Sequence, residues 1–276
     1  MTICVRDEED IIRHNIEFHR ALGVDMFLVT DNLSQDRTKS ILKEYEQQGI
    51  LEYFYSDEDT HSQYKHVTKM ARHAYAYYNA DWVINNDADE FWFPVGHDNL
   101  KDVFRTYGDD VYGVTFNRQN FVPLKHFRPP FYDSMVFKQV HSVNWLGQPL
   151  PGKAAHRGHP DTIVRQGNHA VTLMGDCQYE QSAAIDIMHF TARQFSTWEA
   201  SIIHGGRAYR NNTVLPRTQG IVRRTVYAEY ERKGNLNAFY EREFYSRLPL
   251  LTALLRKRIT IDTRLKRFMH SLYEQQ

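Results

Sequence analysis

The chain has 276 residues, 42% of them hydrophobic and 25% charged, with 14 glycines and 9 prolines. Such values belong to a globular chain and exclude a collagen, a coiled-coil rod and a largely disordered protein. Lysine plus arginine equal aspartate plus glutamate at 34 each, so no global charge draws the chain to nucleic acid.

This length predicts one large domain, or one domain with an appendage. Two cysteines, Cys4 and Cys177, are too few for a disulfide framework or a thiolate zinc site. They point to a reducing, cytoplasmic setting. No run approaches the ~20 apolar residues of a membrane helix. The opening MTICVRDEED lacks the apolar region of a signal peptide.

Strands and helices alternate over the first 95 residues. Thr2 to Val5 reads as a strand. Glu8 to Leu22 carries apolar residues at helical spacing and is closed by Gly23. Met26 to Thr30 is a short continuous apolar run, as in a buried parallel strand. Asp36 can cap the next helix, which stops at Gly49. Leu51 to Tyr55 is a third strand, Gln63 to Tyr78 a third helix, and Trp82 to Asn86 a fourth strand. This alternation implies an α/β fold with a mostly parallel, Rossmann-like sheet and helices on both faces.

Parallel sheets bind ligands beyond the carboxyl ends of their strands. Four polar, acidic segments fall there: Arg6 to Asp10, Asp31 to Asp36, Ser56 to Asp59, and Asp87 to Glu90. Aspartate also favours turns and caps, but four such loops on one edge predict a shared site. Farther on, Val111 to Phe116, Lys153 to Arg157 and Ala184 to Phe190 read as strands. Asn117 to Phe137, rich in proline and aromatics, reads as long loops. From about Gln194 the chain is helical. Its end is basic, with Arg256, Lys257, Arg258, Arg264, Lys266 and Arg267 close together.

Asp87-Ala88-Asp89 is the sharpest signal. Two carboxylates one residue apart at a strand end can share a hard divalent cation. A cation so held can bridge a diphosphate and neutralise a leaving group. The chain has no P-loop, no G-x-G-x-x-G, no G-x-S-x-G elbow and no glycine between Met1 and Leu22. The last point counts against a sugar nucleotidyltransferase. Phosphatases of the haloacid dehalogenase type carry D-x-D after the first strand, where this chain has Arg6-Asp7-Glu8.

Val5-Arg6-Asp7-Glu8, Asp31-Asn32-x-Ser34-x-Asp36-x-Thr38, Asp81-Trp82 and Asp87-x-Asp89-Glu90-Phe91 together resemble family 2 glycosyltransferases. More narrowly they are similar to the D-x-D-E-F branch and the related family 92. Lys153 to Arg157, His169, and Ile187-Met188-His189-Phe190 with Arg193-Gln194-Phe195 fit the later motifs more loosely. The resemblance implies a GT-A fold, a nucleotide-diphosphate sugar donor (UDP-sugar favoured over GDP-sugar), Mn2+ or Mg2+, and inversion at the anomeric carbon. It implies a GT-A domain over 1–207, with a nucleotide-binding half 1–95 and an acceptor and metal half 96–207. Residues 208–276 form a basic helical extension. The acceptor would be a hydroxyl of a glycan or lipid-linked glycan, and the basic end offers peripheral contact with a membrane.

On this reading Arg6, Glu8, Asp31, Asp57, Gln63 and Asp87 contact the nucleotide. Asp89 holds the metal, with Asp87 and His189 as further ligands and His169 as the rival histidine. Lys153 and Arg157 either contact the diphosphate or flank a strand. Trp145 and the Asn117 to Phe121 segment either form an acceptor platform or belong to the core. An inverting transfer needs a base, yet the late Glu-Asp pair of family 2 is missing. Asp176 and Glu180, in a polar segment, are the candidates. Two other classes remain: a nucleotidyltransferase or phosphohydrolase using the same carboxylates, and an inactive nucleotide-binding module.

Overall fold

The computed structural model describes all residues except 61, 145–146, 174–176 and 275–276, so Trp145 and Asp176 lie outside the described residues. β1 (Thr2–Val5), α1 (Ile12–Ala21), β2 (Phe27–Asn32), α2 (Thr38–Gln47), β3 (Leu51–Ser56), α3 (Gln63–Tyr78) and β4 (Trp82–Asn86) follow the expected alternation. Next come β5 (Glu90–Pro94), α4 (Leu100–Phe104), β6 (Val111–Asn120), α5 (Phe131–Ser134) and β7 (Phe137–Gln139). β8 (Lys153–Arg157), β9 (Ile163–Val164), a 3-10 turn at Gln166–Asn168, β10 (Val171–Thr172) and β11 (Gln178–His189) follow. The chain ends with α6 (Phe195–Asn211), α7 (Ile221–Lys233), α8 (Asn237–Glu243), α9 (Arg247–Leu255), β12 (Ile259–Ile261) and α10 (Arg264–Glu274).

Several of these depart from the sequence reading. β5 was hidden behind the acidic turn that precedes it, although four of its five residues are buried. β6 runs on through the polar residues Asn117 to Asn120, and α5 forms where only loop was expected. β12 lies within the otherwise helical end and pairs antiparallel with β7. No helix among the described residues is long and apolar enough to cross a membrane.

The chain divides into two compact units. One comprises Met1–Glu58, Ser62–Arg118 and Pro151–Met188; the other comprises Asp59–His61, Gln119–Leu150 and His189–Gln276. The first is built on an eight-stranded sheet of order β3-β2-β1-β4-β8-β6-β11-β5. β1 pairs in parallel with β2 and β4, and β2 with β3. β8 runs antiparallel between β4 and β6. α3 packs on β1, β2 and β4 through Val67, Met70, Ala71 and Ala74, one helical stripe buried with Leu28, Val83 and Ala154. The register sets Val5 beside Asp31, Asn32 beside Ser56, and Ile3 beside Asn86. The carboxyl ends of β1 to β4 therefore share one edge.

In the second unit, Trp198, Ile202, Val226, Leu236 and Phe244 form one core among α6, α7 and α8. Val122, Ala253 and Ile259 form another under α9.

Candidate active site

The turn Asp87-Ala88-Asp89 joins β4 to β5 at this edge, closed by the Glu90 amide donating to the Asp87 carbonyl at 3.1 Å. Its backbone is held from below by a buried amide network. The Asn15 side-chain amide, on α1, donates to the carbonyls of Ala88 and Glu90, both at 2.9 Å. The Asn86 amide donates to the Asn15 side-chain oxygen and the Glu90 carbonyl, both at 3.2 Å. The Trp92 indole donates to the Asn86 side-chain oxygen at 2.9 Å. His19 Nε2 accepts the Trp92 backbone N–H at 3.1 Å, which places the imidazole proton on Nδ1, 2.8 Å from the Asn15 carbonyl. Asn15, His19 and Asn86 are fully buried.

The charged groups of the turn divide into two roles. Asp87 gives one oxygen to the Gln63 amide at 2.7 Å and the Asn168 amide at 3.0 Å, and the other to the Lys153 ammonium. Burial alone would raise its pKa, but Lys153 foremost, with Arg118 and His169 beside it, holds Asp87 below the usual carboxylate range. Glu90 is wholly buried and accepts from Arg118 at 3.0 Å, with Lys153 at 3.2 Å. Burial, reinforced by Asp87 and Asp89, pushes its carboxyl up to about 7 despite these cations. Asp89 is half-buried, and it and Glu90 present carboxylate oxygens within 4.8 Å of one another. Such a pair suits a hard cation. Beside Asp87, Asn168 Oδ1 and Gln166 Nε2 are buried with no hydrogen-bond partner among the described residues, as where a polar ligand or water belongs.

The other strand ends are stitched to each other. The Asp7 amide donates to the Ser34 hydroxyl at 3.0 Å, and Asp7 accepts from the Gln35 amide at 2.6 Å. Asp36 accepts from the amides of Glu9 at 3.0 Å and Thr38 at 2.9 Å, so it ties the start of α2 to the first loop. Part of the acidity at this edge therefore builds the loops. Asp31 is fully buried, one oxygen taken by the Ser34 amide at 2.9 Å and the other by the Tyr53 hydroxyl at 3.0 Å. Arg6, Glu8 and Gln63 are half-buried at the same edge, and Asp57 is exposed there.

Lys153 and Arg157, at the two ends of β8, differ. Lys153 joins the carboxylates. Arg157 stacks over Trp82 and donates to the carbonyls of Val111 at 3.0 Å and Gly108 at 2.9 Å, a structural post. His169 Nδ1 lies 2.8 Å from the Gly152 carbonyl, and burial, then Lys153, brings its pKa down to about 4. His189, the last residue of β11, sets its Nδ1 2.7 Å from the Asn120 side-chain oxygen. Glu180 is exposed on β11. Cys4, its thiol pushed up to about 12 by burial, is no nucleophile.

Sequence reasoning assigned no role to Asn15, His19 or Asn86, and it placed Arg118 only within the Asn117 to Phe121 segment, as acceptor platform or core. Asn15 and His19 stand four residues apart on one helical face, a polar pair on the side that must be buried. That spacing was the available signal.

The family model for glycosyltransferase family 92 matches residues 1–237. No curated protein sequence matches the chain. Among solved structures, S. aureus TarS in complex with UDP-GlcNAc is similar at 11% identity and a TM-score of 0.46, over 83% of this chain and 70% of that one. The mannosyltransferase PcManGT from Pyrobaculum calidifontis, in complex with GDP-Man and Mn2+, is similar at 15% identity and a TM-score of 0.44, over 99% and 84% of the two chains. The family match spans the strand ends, the Asp87 to Glu90 turn and the Lys153 strand, and with it the chain belongs to glycosyltransferase family 92 and is a glycosyltransferase of GT-A type.

Proposed function

We propose that this glycosyltransferase transfers a sugar, with inversion, from a nucleotide-diphosphate sugar, UDP-sugar foremost, to a glycan hydroxyl in a metal-dependent reaction. The observation that carries the reading is the Asp89–Glu90 carboxylate pair on a rigidly anchored turn at the open edge of the parallel strands. Asp89 and Glu90 would hold Mn2+ or Mg2+. His189 is the third ligand on its motif, and an imidazole among oxygens favours Mn2+. Asp87 joins them only on releasing Lys153. The bound cation supplies Lewis-acid stabilisation of the diphosphate leaving group.

The chain's own groups do the rest. Lys153 and Arg118 add fixed positive charge beside the carboxylates, pre-organised where negative charge develops. Arg6, Glu8, Asp57 and Gln63 ring the edge where the nucleotide lies, and Asp31 supports it from beneath through Tyr53 and the Ser34 amide. The acceptor hydroxyl oxygen bonds to the anomeric carbon as the bond from that carbon to the diphosphate oxygen breaks. The electron pair leaves with the nucleoside diphosphate, and the hydroxyl proton passes to a carboxylate, for which Glu180 and Asp176 are the candidates.

Release of nucleoside diphosphate from a panel of UDP- and GDP-sugars, with and without Mn2+ or Mg2+, tests this. Wild-type turnover is expected to need the metal, and Asp89→Asn to lose about a hundredfold or more in kcat. Metal-independent turnover, or an Asp89→Asn variant as active as wild type, overturns it.

A further inference from the structure

α9 is apolar on two sides and covered on one. Leu250, Ala253 and Leu254 pack onto Val122 and Ile259. Leu248, Leu251 and Leu255 follow at i, i+3 and i+7, a single stripe on the opposite side. They are 73%, 53% and 76% exposed, and Ile261 of β12, an element in contact with α9, is 59% exposed. A surface helix in water normally presents polar residues there.

Cations border this stripe. Arg247 opens the helix, and Arg256, Lys257 and Arg258 follow its end; all four are exposed and none forms an ion pair among the described residues. A cavity of about 490 Å3, lined by Lys125, His126, Phe127, Arg128 and Arg247, meets the helix at its first residue. Lys125 pairs with Glu241, whereas Arg128 and Arg247 face no carboxylate among the described residues. Two copies joined through such a face would set like charges against each other. Leucines rimmed by uncompensated cations complement an anionic bilayer surface, where apolar side chains enter the acyl boundary and each nearby cation strengthens attachment.

We infer that this face docks the protein on a membrane containing anionic lipid. Leu248, Leu251 and Leu255 enter the acyl boundary, Arg256 and Lys257 meet headgroup phosphates, and the Arg128–Arg247 cavity takes one headgroup. The inference goes beyond the transfer reaction and does not depend on it.

Co-sedimentation of the full chain with vesicles tests it. Binding is expected to phosphatidylcholine mixed with phosphatidylglycerol, to fall steeply with salt, and to be about tenfold or more weaker on phosphatidylcholine alone. Leu248→Ser/Leu251→Ser/Leu255→Ser is expected to abolish it with unchanged thermal unfolding, since these side chains support no core. Arg128→Gln/Arg247→Gln is expected to weaken it severalfold on mixed vesicles only, and inorganic phosphate is expected not to compete. Absence of binding to mixed vesicles, or binding indifferent to the triple serine variant, overturns the inference. So does a dimer, seen by light scattering, that the same variant converts to monomer.

Discussion

Asn15 satisfies two carbonyls of the Asp87 to Glu90 turn with one amide group and accepts from Asn86 with its oxygen. Nothing else in the network reaches the Ala88 carbonyl among the described contacts. Asn15→Ala leaves the Ala88 carbonyl without its partner, while the Glu90 carbonyl keeps the Asn86 amide, and the cost of such a buried orphan is about 1–3 kcal/mol. The variant is expected to unfold several degrees below wild type and, where both are folded, to lose turnover because Asp89 and Glu90 are no longer held in register. A melting temperature within a degree of wild type would show that the turn holds itself. At this scale the sequence was half legible. The D-x-D motif marked the turn through its position at the end of an apolar strand of the parallel sheet, since carboxylates at strand ends also serve turns and caps. It did not show that Asp87 is bound to Lys153 while Glu90, read only as part of a motif, supplies an oxygen beside Asp89. That division depends on which strand lies next to β4. No local pattern encodes the antiparallel insertion of β8 that brings Lys153, 66 residues later in the chain, alongside Asp87.

β8 shows how that insertion is made. Its centre is Ala154 and Ala155, fully buried small residues, and glycines flank it on both sides. A Cβ on Gly158 would stand 2.0 Å from the Ala80 carbonyl oxygen, and one on Gly152 would stand 2.6 Å from that of Phe116. Both obstacles are backbone, so no side-chain rotation relieves them. Gly158→Ala is expected to cost about 3 kcal/mol, the upper range for overpacking, by forcing β8 away from β4. Urea unfolding measures this; a midpoint unchanged from wild type would mean the strands part freely. Elements with strong local rules were readable. Gln63–Tyr78 and Trp82–Asn86 carry a regular helical stripe and a continuous apolar run, and both fall where the sequence put them. β6 was cut short because its polar end, Asn117 to Asn120, gives no apolar alternation, β5 was masked by the acidic turn before it, and β12 is a three-residue strand within a helical end.

For the molecule as a whole, zero net charge hides an uneven response to acid. His19 and His156 are fully buried, and burial lowers them to about 3 and about 4. In the unfolded chain both titrate near 6.5. Between those values the unfolded chain binds more protons than the native one, so stability rises with pH and is lost as pH falls below 6.5. At pH 5 each of these histidines costs about 2 kcal/mol, and His14 and His169, also lowered to about 4 chiefly by burial, add about 2 kcal/mol each, about 8 in all. Glu90 works in the opposite sense. Its carboxyl, raised to about 7, binds a proton in the native state first, which stabilises the fold by about 2.5 kcal/mol at pH 5. Aspartates held low, such as Asp262 at about 2 beside Arg264, stabilise the fold throughout this interval and lose that contribution only as pH falls below about 4. The histidines therefore outweigh Glu90, and the urea midpoint is expected to fall between pH 7 and pH 5 by the equivalent of about 5 kcal/mol. His19→Gln removes one of the four opposing histidines, so its midpoint, lower at pH 7, is expected to fall by about 2 kcal/mol less than that of wild type over the same interval. A wild-type midpoint that holds or rises on acidification would mean that Glu90, not the buried imidazoles, governs the balance.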